Sequence, residues 1–397
     1  MRKLRALAAA KCVSVSVLLV IFCANTANAG GYDTGQRDWD FLFQQDGFAV
    51  ESEVRYIHPD RRLTNITGVF GPSADVSEAS PFTIGRASAT MKFGDMLRCM
   101  GSYREPWGGH AEYGKNWTYT GSATEQHFSS EDYGLTCAVS MAMEKGQISL
   151  IGGYSWQKIR YELDQFYAVG PGLTATTRVE DSSNAWRLGL AYEIPEYALR
   201  ASLIWNSAVD YDMTGTVINP AIPFAGPVAG KITMPQSVEA KFQSGVAPGW
   251  LAFGAVKWTD WSVADNMPLC STALPFACTQ PFAVSGLTLL FKDSWTITLG
   301  AAHQFTEKFS LAGSLTWDQG ATQGFTSQTD TWTAGLTAVL TPAKGVEFKL
   351  GGTAGIMTSG SLSTMTLPGG IPNPVGYTAS FGNDFVYSLN GSAVFRF

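Results

Sequence analysis

Residues 384–397 alternate at every second position. Phe385, Tyr387, Leu389, Gly391, Ala393, Phe395 and Phe397 form an apolar face, while Val386, Ser388, Asn390, Ser392, Val394 and Arg396 form a small or polar one, apart from its two valines. A tilted strand needs about 9–11 residues to cross a bilayer. This stretch is long enough, and its aromatics sit near both ends, at headgroup depth. In a soluble sandwich the same strand would be an edge prone to aggregation. The expectation for the whole chain is therefore a lipid-facing sheet.

Arg2, Lys3, Arg5 and Lys11 precede or open an apolar run, Cys12 to Phe22, and Ala27-Asn28-Ala29 offers small residues for cleavage before Gly30. Residues 1–29 read as a secretory signal, too short to be a membrane helix. Their removal takes away four basic and no acidic residues and moves the net charge from −6 to −10, which argues against a nucleic-acid partner. Hydrophobic residues make up 45% of the chain and charged ones only 15%, where a soluble domain carries about 25% charged residues. No later stretch reaches the roughly 18 apolar residues of a spanning helix. Backbone polar groups in lipid must all be paired, so such a sheet has to close on itself.

The rest of the chain repeats the pattern. Phe48, Val50, Val54 and Tyr56 alternate with Ala49, Glu51, Glu53 and Arg55 in the first strand, Gly47 to Ile57. The three charges need a wet lumen, because each would cost about 2–4 kcal/mol at the lipid midplane. Trp186, Leu188, Leu190 and Tyr192 likewise oppose Arg187 and Glu193. Leu251 and Phe253 share a face with Lys257, which fits either a partly apolar lumen or a bulge. Short turns such as Gly94-Asp95 and Glu144-Lys145-Gly146 alternate with long segments, among them 162–181, 213–230 and 358–383, expected to be external loops. The expected fold is all-β: a transmembrane antiparallel β-barrel of about 14 strands spanning 47–397, with residues 30–46 as a short N-terminal hatch or plug.

Signals for chemistry are sparse. His58, His110, His127 and His303 are scattered and form no nucleophile–base grouping, so no enzyme, metal or cofactor is expected. Cys270 and Cys278 suit a loop disulfide in an oxidising compartment, and Cys99 and Cys137, on neighbouring strands, are open to pairing or to remaining free. The long segments are unusually apolar. Phe166, Tyr167, Phe224, Leu362, Met365, Leu367, Ile371, Val375, Tyr377 and Phe381 all fall in them, stiffened by Pro368, Pro372 and Pro374. Exposed apolar patches mark binding surfaces, although such loops also pack on one another. Lys158, Arg160 and Lys292 are candidates to hold a carboxylate or, more simply, snorkelling residues at the interface.

Several stretches resemble FadL-type long-chain fatty acid transporters of the outer membrane. These are Met234-Pro235-Gln236-Ser237 through Val256-Lys257-Trp258-Thr259-Asp260-Trp261-Ser262, Phe291-Lys292-Asp293 followed by Ile297-Thr298-Leu299-Gly300, and Tyr56-Ile57-His58-Pro59-Asp60. The resemblance implies a 14-stranded barrel with an amino-terminal hatch. It also implies a hydrophobic ligand taken up on the external side, with Phe291 and Lys292 in its neighbourhood, and released sideways through the wall into outer-membrane lipid. The final Phe397 resembles the residue by which the barrel-assembly machinery reads its clients. The Asn-Pro-Ala element of the family's hatch is missing here, and apolar Leu287–Leu290 stands where the family carries a basic residue. The expected function is passive uptake of long-chain fatty acids or related hydrophobic compounds. A small-solute porin and a structural or adhesive barrel are the alternatives.

Overall fold

The computed structural model describes residues 30–37, 39–68, 71–115, 122–167, 172–275, 277–279, 282–362, 366–367, 371–372 and 377–397. Residues 1–29, expected to be a secretory signal, and Asp38, Met365, Pro368, Pro374 and Val375 lie outside them.

Fourteen strands form the wall: Phe48–Pro59, Phe82–Phe93, Leu97–Arg104, Ser122–Ala142, Gln147–Tyr167, Leu173–Ile194, Leu199–Asn206, Ser237–Ala247, Trp250–Thr259, Ser294–Thr306, Phe309–Asp318, Thr331–Ala343, Val346–Met357 and Asp384–Arg396. Each pairs antiparallel with the next, and the last returns to the first with Val54 opposite Gly391, so the sheet has no free edge at the membrane. The side-chain period puts Val54, Trp186, Leu188, Leu315, Leu350 and Leu389 outside, all more than half exposed. Glu51, Glu53, Arg55, Arg187, Ser388 and Asn390 turn inward and are buried. Leu251 and Phe253 stand on the lumen side with Lys257, because register runs unbroken from Ser237↔Thr259 to Gly245↔Leu251. A partly apolar lumen, not a bulge, explains that strand.

Two expected loops are structured instead. Residues 162–181 continue the flanking strands to Tyr167 and resume at Leu173, and 213–230 belong to the hairpin Val209–Asn219 and Phe224–Met234. The alternation persists there with its chemistry exchanged. On Gln147–Tyr167, Leu150, Tyr154 and Trp156 face out, and beyond them Lys158, Arg160, Glu162 and Asp164 occupy the same face while Ile159, Tyr161 and Leu163 are buried inside. The change marks where the strand leaves lipid for water. Both cysteine pairs are disulfides. Cys99–Cys137 sits on the outer face between the pairs Leu97↔Val139 and Gly101↔Leu135, and Cys270–Cys278 closes its loop.

Candidate functional site

The lower lumen is filled by ion pairs and by the N-terminal segment. Arg86 meets Glu53 at 2.8 Å, Arg55 meets Glu53 at 2.9 Å, and Arg396 meets Glu347 at 2.9 Å. Trp39 from the N-terminal segment is held between two guanidinium groups, Arg104 at 3.8 Å and Arg187 at 3.9 Å from its ring, and Arg200 lies 4.3 Å from the Phe43 ring. Cation–aromatic contacts away from water are worth up to about 2 kcal/mol each. Lys241 adds an ion pair to Asp40 at 3.1 Å.

Above this plug the barrel interior is an apolar chamber filled by its own packed side chains. Trp107, Phe128, Tyr161, Tyr211, Trp261 and Phe291 are buried in one cluster with Met213, Met234 and Met267. Trp261 makes edge contacts to Trp107 and Phe291, both at 5.5 Å between ring centres, and Tyr32 stacks on Phe128 at 4.9 Å. Methionine side chains repack easily around ligands of different shape. Arg37 covers the Trp107 ring of the cluster at 4.3 Å and pairs with Asp33 at 3.1 Å, and Lys257 Nζ meets the same carboxylate at 2.9 Å. Burial alone would raise the Asp33 carboxyl, but Lys257 and Arg37 together hold it well below the usual carboxylate range. One donor in the lining, Trp107 Nε1, is buried without a hydrogen-bond partner among the described residues.

The wall is broken beside the chamber. Pairing between Phe82–Phe93 and Leu97–Arg104 ends at Ala87↔Tyr103, and Glu105-Pro106-Trp107 turns away before the strand Gly108–Glu112 pairs with Ser122–Ala142, its His110 carbonyl accepting the Ser80 amide at 2.9 Å. Proline has no N–H for a ladder. The N-terminal segment takes up the freed groups: the Thr34 amide donates to the Pro106 carbonyl at 3.1 Å and the Gly108 amide to the Tyr32 carbonyl at 2.9 Å, with Asp33 bridged to Trp107. Across the gap the Gly85 amide finds only a side chain, Glu105 Oε2 at 2.8 Å. A second interruption lies at similar height. Pairing along Leu173–Ile194 stops at Arg187↔Asn206 and resumes at Glu180↔Thr214. A narrow cleft lined by Arg37, Trp39, Pro106, Trp107, Gln157 and Trp186 runs between the two.

Of the residues singled out from sequence, Phe291 is in the chamber and Phe224 packs at its edge. Lys292 is exposed next to Phe291. Lys158 and Arg160 are on the opposite face of their strand from the chamber, paired with Glu180 at 2.9 Å and Glu131 at 2.7 Å. Phe166 lies at a hairpin tip under the Lys115 ammonium. Tyr377 packs on an external cap formed by Leu63, Ile66, Val76, Leu362 and Phe381, and Leu367 is in a two-residue strand paired with Ile371. Trp107, Phe128, Tyr161, Tyr211 and Trp261 were not singled out as site residues; the signal for Phe128, Tyr161 and Tyr211 was the exchanged alternation above Trp156, whereas Trp107 and Trp261 lie on no alternating strand.

A closed barrel with a plugged lumen and a break in its wall is the architecture of an outer-membrane β-barrel. Residues 134–330 match the family described as outer membrane protein transport protein (OMPP1/FadL/TodX), so the resemblance to FadL-type transporters holds; these are transport channels and not enzymes. A Pseudomonas aeruginosa FadL homologue superposes with a TM-score of 0.74 at 11% identity, over 90% of this chain and 91% of that one. The P. putida toluene transporter TodX gives 0.62 at 14%, over 93% and 99%. The Ralstonia pickettii toluene transporter TbuX gives 0.58 at 14%, over 93% and 95%. At such identities these likenesses establish the fold. No curated protein matches the sequence.

Proposed function

We propose that the protein passively carries small hydrophobic molecules across the outer membrane, capturing them at its apolar external surface and releasing them sideways into lipid at the Glu105-Pro106-Trp107 break. The observation that carries this reading is the aromatic and methionine lining of the chamber beside that break, with its bordering cations already paired to Asp33. A lining of this kind favours an uncharged cargo, an aromatic hydrocarbon or one with a single acceptor for Trp107 Nε1. A long-chain fatty acid is the second reading. It is favoured by Lys292, exposed beside buried Phe291, as a cation for the carboxylate. Recognition of Phe397 by the barrel-assembly machinery belongs to the same reading; in the folded barrel its side chain is exposed and its backbone pairs with Phe48.

Quenching of tryptophan fluorescence in detergent-solubilised protein tests the proposal. Toluene or oleate should quench saturably, and Trp261→Phe should remove much of the change. Lys292→Ala weakening oleate but not toluene selects the fatty acid. Saturable binding of neither, with ion conductance in planar bilayers, overturns the proposal in favour of a porin.

A further inference from the structure

Cys99 and Cys137 stand directly opposite each other on the strands Leu97–Arg104 and Ser122–Ala142 and are joined as a disulfide. Their surroundings on the outer face carry no polar side chain among the described residues. Leu97, Gly101, Leu135 and Val139 precede and follow them on their own strands, and Met91 and Gly152 are their partners on the adjoining ones. Met91, Leu135 and Val139 are exposed, as residues facing hydrocarbon are. Four residues separate Cys99 from the turn residue Asp95, and four separate Cys137 from the aromatic Tyr133. Each interval is roughly 10 Å of tilted strand. The disulfide therefore lies within the apolar band, which is about 25 Å tall in such barrels. Exchange at sulfur needs a thiolate, and an anion in hydrocarbon is strongly disfavoured. A water-soluble oxidant cannot follow the two thiols to that depth either.

We propose that Cys99 and Cys137 are oxidised in the periplasm before the barrel inserts, so that the membrane receives a chain already looped at this point. The co-reactant is a soluble oxidoreductase carrying a reactive disulfide. One cysteine thiolate attacks that disulfide, forms a mixed disulfide and releases one carrier thiolate. The second cysteine thiolate attacks its partner's sulfur in the mixed disulfide and releases the other. Two electrons pass to the carrier, which leaves as a dithiol holding the two protons the cysteines gave up. The new bond spans 38 residues and encloses both the Glu105-Pro106-Trp107 break and the strand Gly108–Glu112. Beyond Ala87↔Tyr103 the strand Leu97–Arg104 has no pairing with Phe82–Phe93, so Ser122–Ala142 alone holds its register there. A slip of one residue would turn every side chain to the opposite face. A bond between directly opposed residues excludes that slip and sets the edge of the break before the wall closes. The inference holds whatever the cargo is.

The test compares oxidation before and after folding, in a chain carrying Cys270→Ser and Cys278→Ser so that Cys99 and Cys137 are the thiols counted. Reduced and unfolded in urea, it should close the bond when given oxidised glutathione. Folded into phosphatidylcholine liposomes with reductant present, then freed of reductant and given the same oxidised glutathione, it should close the bond at least about tenfold more slowly. Alkylation in denaturant followed by mass mapping reads both rates. A pulse-chase in cells, quenched in acid and alkylated, decides the matter should the reduced chain fail to fold in liposomes. There the bond should already be present in chains that have not yet acquired the heat-dependent gel shift of a folded barrel. Oxidation of the folded, reduced barrel at the rate of the unfolded chain overturns the proposal. So does a pulse-chase in which folded barrels first appear with both thiols free and gain the bond later.

Discussion

Asp33 and Trp107 face each other in an antiparallel bridge, so the N-terminal segment is a strand partner for the wall where the wall has lost its own. The Asp33 carboxylate is at once the counterion of Lys257 and Arg37. Hatch and opening are thus one structure, and their stabilities are coupled.

Acid is a first lever on that coupling. Burial opposes the charge on Asp33, but Lys257 and Arg37 outweigh it and hold the carboxyl low. A depressed folded-state value contributes stability that is full above the unfolded value and fades only as pH falls through the folded one. The bridge should therefore survive acidification through the ordinary carboxylate range. Asp33→Asn should weaken it wherever the carboxylate is charged, by about 3 kcal/mol, because two partly buried cations lose their partner. Hydrogen exchange of residues 32–34 and 106–108 measures this.

Trp39 plugs the lower lumen between Arg104 and Arg187. Trp39→Ala removes both contacts and leaves a ring-sized space, at a cost of about 3–5 kcal/mol. Planar-bilayer recordings should show near silence for the wild type and steady ion conductance for the variant. Hydrophobic binding measured by Trp261 quenching should be unchanged.

Pro106 keeps the gap open because it cannot donate. Pro106→Ala restores an amide and removes the constraint on the preceding residue. Pairing toward Ile84 should extend, and uptake of a labelled hydrocarbon by cells should fall several-fold while affinity in detergent stays the same.

Arg61 ties the external cap to the wall. It donates to the carbonyls of Thr358 at 3.2 Å and Gly382 at 3.1 Å and to Asp384 at 3.0 Å, and covers the Phe381 ring at 4.5 Å. Arg61→Ala removes one donor each from Asp384 and the Thr358 and Gly382 carbonyls and should loosen the cap by about 2–3 kcal/mol. Faster exchange at 377–381, with an unchanged heat-dependent gel shift, is the expected outcome.

The barrel was legible because lipid imposes one rule on every strand: the outward residue must be apolar, whatever its neighbours are. Val54, Leu188 and Leu389 obey it without tertiary help. Above the bilayer the rule reverses. Lys158 and Arg160 share a face with Trp156, and sequence periodicity cannot say at which residue lipid gives way to water. Extended strands at 162–167 and 173–181 were therefore read as loops, and the inward aromatics Tyr161 and Tyr211 went unnoticed. The Asp33 bridge was illegible for another reason: it joins residues 74 apart in the chain, and no local pattern encodes that meeting.

The strands Ser122–Ala142, Gln147–Tyr167 and Leu173–Ile194 run 21, 21 and 22 residues, against 12 and 13 for Val346–Met357 and Asp384–Arg396 across the barrel. At about 3.3 Å per residue and a tilt near 40°, one flank rises roughly 20 Å above the other. The tall flank is rigid sheet continuous with the membrane wall; the low flank is roofed by connecting segments pinned at Arg61. The mouth is therefore a slanted rim, high and sheet-walled on one side and low on the other.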